Sequence, residues 1–170
     1  HNLAQNFNNP FNTDLKNISF EVKEGEIFGI AGIAGNGQSE LMNLLTGENV
    51  DDVDGSITFN NTEITNFNPK KRRDLSIAFV PENRLGHSAV PELTLAENVL
   101  LSQFPNNGFL KNGMIYYKNI EIQAKKIVDE FNVVTPGVDA KASSLSGGNL
   151  QKFVIGREIL SMPKLLIISH

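Results

Sequence analysis

The sequence predicts an α/β fold, a mixed sheet interrupted by a helical segment, and three observations predict it. Short apolar runs with strand character are interspersed with stretches whose apolar residues recur at helical spacing. A glycine loop, Gly32-Ile33-Ala34-Gly35-Asn36-Gly37-Gln38-Ser39, follows the apolar run Ile27-Phe28-Gly29-Ile30-Ala31 and precedes the amphipathic stretch Glu40-Leu41-Met42-Asn43-Leu44-Leu45. That is the strand, loop and helix order of a phosphate-cradling loop, or P-loop. A second glycine pair, Gly147-Gly148, opens a helix striped by Phe153, Val154, Gly156, Ile159 and Leu160.

Taken in order, Asn17-Ile18-Ser19-Phe20-Glu21-Val22 alternates as a strand, and Lys23-Glu24-Gly25 is a tight turn into the P-loop strand at 27–31. Gly55-Ser56-Ile57-Thr58-Phe59-Asn60 is a further strand. The basic run Lys70-Lys71-Arg72-Arg73 reads as the solvated face of a short helix. Leu75-Ser76-Ile77-Ala78-Phe79-Val80 is a strand stopped by Pro81. Thr94 caps a helix over Leu95-Ala96-Glu97-Asn98-Val99-Leu100-Leu101, and Ile120 to Phe131 forms a longer amphipathic helix. Lys164-Leu165-Leu166-Ile167-Ile168 has the unbroken apolar character of a buried strand. The helical segment from about Glu82 to Ser144 thus separates two sheet-forming parts, with no internal repeat and no low-complexity linker.

Composition narrows the class. A chain of 170 residues, 40% of them hydrophobic, is long enough for one globular domain with a real core. A formal net charge of −4 argues against nucleic acid as a partner. The absence of cysteine excludes a disulfide framework and thiolate metal ligation, which fits a reducing compartment. No apolar stretch approaches the roughly 20 residues that span a bilayer, and none reads as a signal peptide, so membrane association is expected only through a partner.

The glycine loop is informative because of one mismatch. Glycines let several N–H groups and a positive helix end converge on a phosphate, and a lysine normally adds a full charge. Here Gln38 stands at the lysine position and Ser39 is next to it. Two opposite charges about 4 Å apart attract by roughly 4 kcal/mol at an effective dielectric near 20, less the desolvation that offsets part of it. The loop is therefore expected to hold phosphate weakly, and as an isolated octet it is also compatible with a turn that binds nothing.

A more specific motif is Leu145-Ser146-Gly147-Gly148-Asn149-Leu150-Gln151-Lys152. It resembles the signature motif of ATP-binding-cassette (ABC) ATPases, and its Asn-x-Gln-Lys ending is similar to the branch that imports simple sugars and nucleosides. Segments 30–41, 86–91 and 145–158 carry the likeness, which extends over nearly the whole chain and resembles the second, degenerate cassette of tandem importer ATPases. The fold this implies is a P-loop NTPase core of the ABC-ATPase type with a mixed sheet. Its core would comprise 1–82 and 145–170, with 83–144 as the inserted α-helical subdomain. A full cassette continues beyond the strand ending at Ile168, so the resemblance implies a partial domain whose C-terminal part is missing and whose last strand lacks a covering neighbour.

By the same resemblance, ATP is expected at Gly32, Gly35, Asn36, Gly37, Gln38, Ser39 and Glu40, with Phe7 as the aromatic stacked on adenine and Phe11 as its neighbour. Mg²⁺ is expected at Ser39 and Glu82, weakly bound. The family has a metal-sensing glutamine where Glu82 stands, and an Asp-Glu pair in place of Ser169-His170 after the last strand. Glu82 is open to two readings, a metal contact or a solvated strand-end carboxylate. No residue of this chain is thus assigned a catalytic role with certainty, whereas Ser146, Gly147 and Gly148 are intact.

ABC cassettes pair head to tail, each ATP lying between one P-loop and the other's signature. The implied function is the ATP-binding part of an importer for simple sugars or nucleosides, lending its signature to the partner cassette's hydrolytic site. The implied enzyme is an ABC-type ATPase, with little or no activity in this domain alone. Its partners would be a second cassette and a transmembrane permease, received near Val90, Pro91 and Leu93, which places it on the cytoplasmic face of the plasma membrane. Two other readings stay open. One is a structural pseudo-ATPase that never holds nucleotide. The other is a non-transport ABC ATPase of DNA repair or ribosomes, which the acidic balance and ordinary helical segment disfavour.

Overall fold

A computed structural model describes residues 1–7, 11–33, 35–83, 85–103 and 108–169, which fall into two compact units, His1–Leu75 and Ser76–His170. Ala34 and His170 lie outside the described residues.

In the first unit, strand β1 (Leu3–Gln5) is the centre of a three-stranded antiparallel sheet, flanked by β2 (Leu15–Ile18) and β3 (Val53–Asp54). Helix α1 (Gln38–Thr46) buries Leu41 and Leu44 with Leu3 and Leu15 of this sheet. Spacing of three puts those two leucines on one face, as expected for a half-buried helix. The helix ends at Gly47, whose φ of +84° lets its N–H and that of Glu48 return to carbonyls of the last turn. A hairpin of β4 (Thr58–Phe59) and β5 (Thr62–Glu63) leads to the short helix α2 (Pro69–Asp74), capped by the Asn68 side chain accepting from the Lys71 N–H.

The basic run on α2 is a correction to its reading as a solvated face. Arg72 is fully buried. Its guanidinium donates to the carbonyls of Phe67 (2.8 Å), Leu45 (2.7 Å), Ile64 (3.0 Å) and Thr65 (3.1 Å). Burial lowers its pKa to about 10, which leaves it charged at neutral pH. The turn at Gly47 creates the demand. A Cβ there would lie 2.3 Å from the Phe67 carbonyl oxygen and 2.7 Å from Arg72 Nε, so backbone and guanidinium crowd together where the last carbonyls of α1 run out of intrahelical donors.

The expected P-loop strand is also corrected. Residues 27–31 form no strand, and Ile27 is fully exposed, with Phe28, Ile30 and Ile33 exposed beside it. No described strand supplies the ladder that a central parallel strand requires on its edges. The segment instead turns back at Gly25 (φ +76°), where Glu26 N–H donates to the Lys23 carbonyl, and stacks Phe28 on Phe20 with centroids 5.1 Å apart. The strand expected at 17–22 is correspondingly confined to β2.

The second unit opens with β6 (Ile77–Val80), buried along its length, whose partner is the half-buried β9 (Leu165–Ile168) in parallel register, Ile77 opposite Leu165 and Val80 opposite Ile168. Between them lie α3 (Leu95–Gln103), a small hairpin of β7 (Leu110–Lys111) and β8 (Met114–Ile115), α4 (Tyr117–Glu130) and α5 (Gly147–Ile159). Thr94 and Glu97 form a reciprocal capping box at the start of α3: Thr94 N–H donates to Glu97 Oε2 at 2.8 Å, and Glu97 N–H to Thr94 Oγ1 at 3.1 Å. Those bonds to Thr94 hold the Glu97 carboxyl below the usual carboxylate range. Leu95, Val99, Ile120, Ala124, Ile127, Phe153 and Val154 join in one core, and α4 meets α5 closely enough that a Cβ on Gly156 would lie 2.6 Å from the Phe131 ring.

Replacing Arg72 with methionine should leave the carbonyls of Leu45, Thr65 and Phe67 without their donor and the Ile64 carbonyl with only the Phe67 N–H. The Arg72→Met variant is expected to lose about 3 kcal/mol or more, read as a lowered urea midpoint at unchanged slope. Lys70→Met, at an exposed position of the same helix, should change stability by no more than about 0.5 kcal/mol.

Candidate functional site

The glycine loop is described in the first unit. Gly35 and Gly37 take φ of +84° and +95°, left-handed values that a residue with a Cβ reaches only under strain. At Gly37 a side chain would also press on Leu15, its Cβ 3.2 Å from Leu15 Cδ2. These two residues reverse the chain into α1, which begins at Gln38 with no side-chain cap. The Gly37 carbonyl already accepts from the Leu41 N–H. The N–H groups of Ser39 and Glu40 bond to no described acceptor, and Ser39 is exposed, so the positive end of α1 is open.

Thr13, on the segment before β2, braces the loop from outside. Its N–H donates to Glu40 Oε1 and its hydroxyl to the Gly35 carbonyl, both at 3.0 Å. The Glu40 carboxylate thus holds the chain in place, leaving its backbone N–H as the group that could face a ligand. Gln38 turns inward. Its Nε2 donates to the Ile33 carbonyl at 2.8 Å, and its Oε1 accepts from the Asn36 N–H at 3.1 Å, an N–H shared with the Ile33 carbonyl at 3.3 Å. Phe7 is half-buried against the cluster of Leu3, Leu15, Leu41 and Leu44, while Phe11 is 92% exposed.

The signature segment is described in the second unit. Ser146 is the N-cap of α5, in extended conformation, and Ser146, Gly147 and Gly148 are exposed. The N–H groups at 147 and 148 bond to no described acceptor, and space around Gly148 is open. The Ser146 oxygen accepts from both the Asn149 N–H (3.5 Å) and Asn149 Nδ2 (3.0 Å), which leaves its own proton free to donate outward. Asn149 is held in turn, because its Oδ1 accepts from the Val134 N–H at 3.0 Å. Lys152 Nζ adds a bond to the Asn132 carbonyl at 3.3 Å. The residues that distinguish this signature, Asn149 and Lys152, therefore tie the start of α5 to the loop after α4.

Glu82 and Ser169 meet at the carboxyl ends of β6 and β9, where Ser169 N–H donates to the Val80 carbonyl at 3.0 Å. With Pro81, Ser88, Gln151 and Ile155 they line a shallow depression of about 290 Å³, counting space open to solvent. Crevices at the carboxyl ends of parallel strands are where open α/β sheets take ligands. Among the described residues no group of three His, Asp or Glu side chains gathers to hold a metal ion. In the second unit Glu82 offers one exposed carboxylate and Ser169 a neutral hydroxyl, and in the first unit Ser39 offers another hydroxyl; each could serve only as a single contact to a Mg²⁺ ion that keeps its waters and is held largely by phosphate.

Sequence reasoning missed the polar hub behind α5. Arg157 and Glu158 are buried and paired, Nε to Oε1 at 2.9 Å, and Arg157 donates further to the carbonyls of Asn98 (3.1 Å) and Ser88 (2.8 Å). Asn98, itself buried, closes the loop before α3 by accepting from the Val90 N–H and donating to the carbonyls of Val90, Leu93 and Thr94. The one signal in the sequence was position: Arg157 and Glu158 come directly after Gly156 on the apolar stripe, where a solvated charge would not be placed.

The ABC transporter family model matches residues 15–168. The chain is 44% identical over 156 residues to the nucleoside import ATP-binding protein NupA of Lactococcus lactis, covering 92% of this chain and 31% of that protein. It is 39% identical over 156 residues to the guanosine import ATP-binding protein NupO of Bacillus subtilis, covering 92% and 30%. The chain thus spans less than a third of the length of these curated relatives. Among solved structures, a dimeric post-hydrolysis ATP-binding cassette bound to ADP and Pi superposes with a TM-score of 0.78 at 24% identity, covering 98% of this chain and 71% of that one, a likeness of fold. A second, an ATP-binding cassette of an ABC transporter, superposes with a TM-score of 0.73 at 29% identity, covering 97% and 65%.

Asn149→Ala should remove the side-chain donor to the Ser146 oxygen, leaving only the backbone N–H of residue 149, and should free the Val134 N–H. The expected result is faster hydrogen exchange at the Val134 amide and a loss of about 1 kcal/mol in stability, measured by urea titration.

Proposed function

The chain belongs to the ABC transporter family, and on that premise we propose that it is a degenerate ATP-binding cassette of an importer for nucleosides or simple sugars. The observation that carries this reading is the contrast between its two helix starts: an intact Ser146-Gly147-Gly148 cap on α5, and a glycine loop on α1 that has Gln38 where a lysine would stand. Relatives named for nucleoside, guanosine and xylose import support the substrate class.

In this reading the phosphates of ATP lie against the N–H groups of Gly35, Asn36, Gly37, Ser39 and Glu40 at the open end of α1, with Gly32 and Gln38 beneath and Phe7 against adenine. Mg²⁺, when bound, offsets phosphate charge, and Ser39 and Glu82 are the chain's own candidates to touch it. Ser169 cannot ionise near neutral pH, so it neither holds a metal as a carboxylate would nor removes a proton from water. Hydrolysis at this chain's own P-loop is accordingly weak. The chain contributes instead through Ser146, whose outward proton and the N–H groups of Gly147 and Gly148 would meet the γ-phosphate held by a second cassette.

The core of 1–82 and 145–170 would pair with that cassette, and the helical part, 83–144, would receive a permease near Val90, Pro91 and Leu93. That arrangement places the protein on the cytoplasmic face of the plasma membrane, attached through the permease. No helix among the described residues is long and apolar enough to cross a membrane. A nucleotide-free scaffold is the alternative, favoured by the bonds that Gln38 makes to its own loop.

Isothermal titration of Mg²⁺-ATP into the chain should give binding in the micromolar to sub-millimolar range. No heat from folded protein would select the scaffold reading. In the complete two-cassette polypeptide, Ser146→Arg should abolish ATP hydrolysis while leaving nucleotide binding intact; normal turnover would exclude the contribution in trans.

A further inference from the structure

We infer that Gln38 is a built-in competitor for phosphate, an amide that closes the glycine loop on itself and must swing out before a phosphate-bearing ligand can enter. The inference rests on the nucleotide-binding reading of this loop and specifies how the site is regulated.

Three observations carry it. First, the Gln38 amide makes two bonds across the loop, donating to the Ile33 carbonyl at 2.8 Å and accepting from the Asn36 N–H at 3.1 Å. The orientation of the amide is fixed by these partners, since a carbonyl only accepts and an N–H only donates. Second, the amide lies directly on Gly32: a Cβ built there would be 2.5 Å from Gln38 Nε2 and 3.4 Å from Gln38 Cδ. Third, Gly35 and Glu40 are braced separately, by Thr13 and without any bond to Gln38.

Lysine and glutamine differ here in kind as well as in charge. Lysine has donors and no acceptor, so it adds positive charge to a loop whose N–H groups remain open to a ligand. Glutamine brings an oxygen of its own, and that oxygen takes a share of the Asn36 N–H, whose other contact is the longer one to the Ile33 carbonyl at 3.3 Å, and so competes there with an anion. Ligand entry must then break the Asn36 and Ile33 contacts of Gln38. Removing the amide should therefore strengthen binding, whereas removing a phosphate ligand would weaken it.

The test compares wild type with Gln38→Ala, Gln38→Lys and Gly32→Ala. Gly32 has no left-handed φ and its Cβ would meet nothing except the end of the Gln38 side chain, so alanine there is expected to evict the amide while leaving the fold intact. Hydrogen exchange at the Asn36 amide, with no ligand present, should be faster in Gln38→Ala and in Gly32→Ala than in wild type. Titration with Mg²⁺-ATP and with pyrophosphate should show Gln38→Ala binding about fivefold tighter than wild type, the value of one net hydrogen bond of about 1 kcal/mol. Unchanged Asn36 exchange in both variants overturns the inference. So does equal or weaker binding by Gln38→Ala, in which case the nucleotide-binding reading survives with Gln38 as a ligand. No binding by any variant, Gln38→Lys included, overturns both.

Discussion

A buried guanidinium secures each of the two helices whose N-termini stand open to solvent. Arg72 collects the Leu45 carbonyl from the last turn of α1 together with three carbonyls of the 64–67 segment. Arg157, on α5 itself, collects carbonyls from Ser88 and Asn98 and pairs with Glu158. The physical constraint is the same in both places. A helix end or tight loop taken out of water leaves acceptors that must be met, and a planar group with five donors meets several at once. With the far ends and flanks fixed in this way, the solvent-facing ends can carry bare N–H groups without loosening the helices.

The constraint also explains which parts of the fold were legible. Helical periodicity located α1, α3, α4 and α5 to within a few residues, because each has one buried stripe and the starts of α1, α3 and α5 are marked by Gly37, Thr94 and Ser146. Strands were legible where both partners are present: β6 and β9, read from Leu75–Val80 and Lys164–Ile168, pair in parallel over four residues. Residues 27–31 have the same apolar character and form no strand, because the apolar pattern records a demand for burial and the ladder that meets it is a property of other segments. Arg72 shows the converse. Four consecutive basic residues look alike in sequence, and only the crowded turn at Gly47 singles out the one that is drawn inside.

Within the candidate site, residue types were legible and their partners were not. The glycines at 35 and 37 announced left-handed backbone, and Ser146 announced a cap. That Asn149 spans from Ser146 to Val134 depends on where the loop after α4 passes, which no local pattern encodes. The depression shared by Glu82 and Ser169 depends likewise on the parallel register of β6 and β9. Departures that look scattered along the chain, at positions 82 and 169, are neighbours at one mouth.

The two helix starts solve one problem in opposite ways. Both expose the positive end of a dipole and several N–H groups, and both place a polar side chain beside them. At α5 that side chain is Asn149, which donates to the Ser146 oxygen and so directs the serine's proton outward, toward whatever binds. At α1 it is Gln38, which offers its oxygen inward to the loop's own N–H. The difference lies in what the amide oxygen takes: that of Asn149 accepts from Val134, away from the helix start, whereas the Gln38 amide donates to the Ile33 carbonyl and its oxygen also takes a share of the loop's own Asn36 N–H. On the proposed function, a cassette built in this way would present its signature to a partner while its own phosphate loop is engaged by Gln38, and the loss of charge at position 38 would be one part of a change whose other part is the gain of an acceptor.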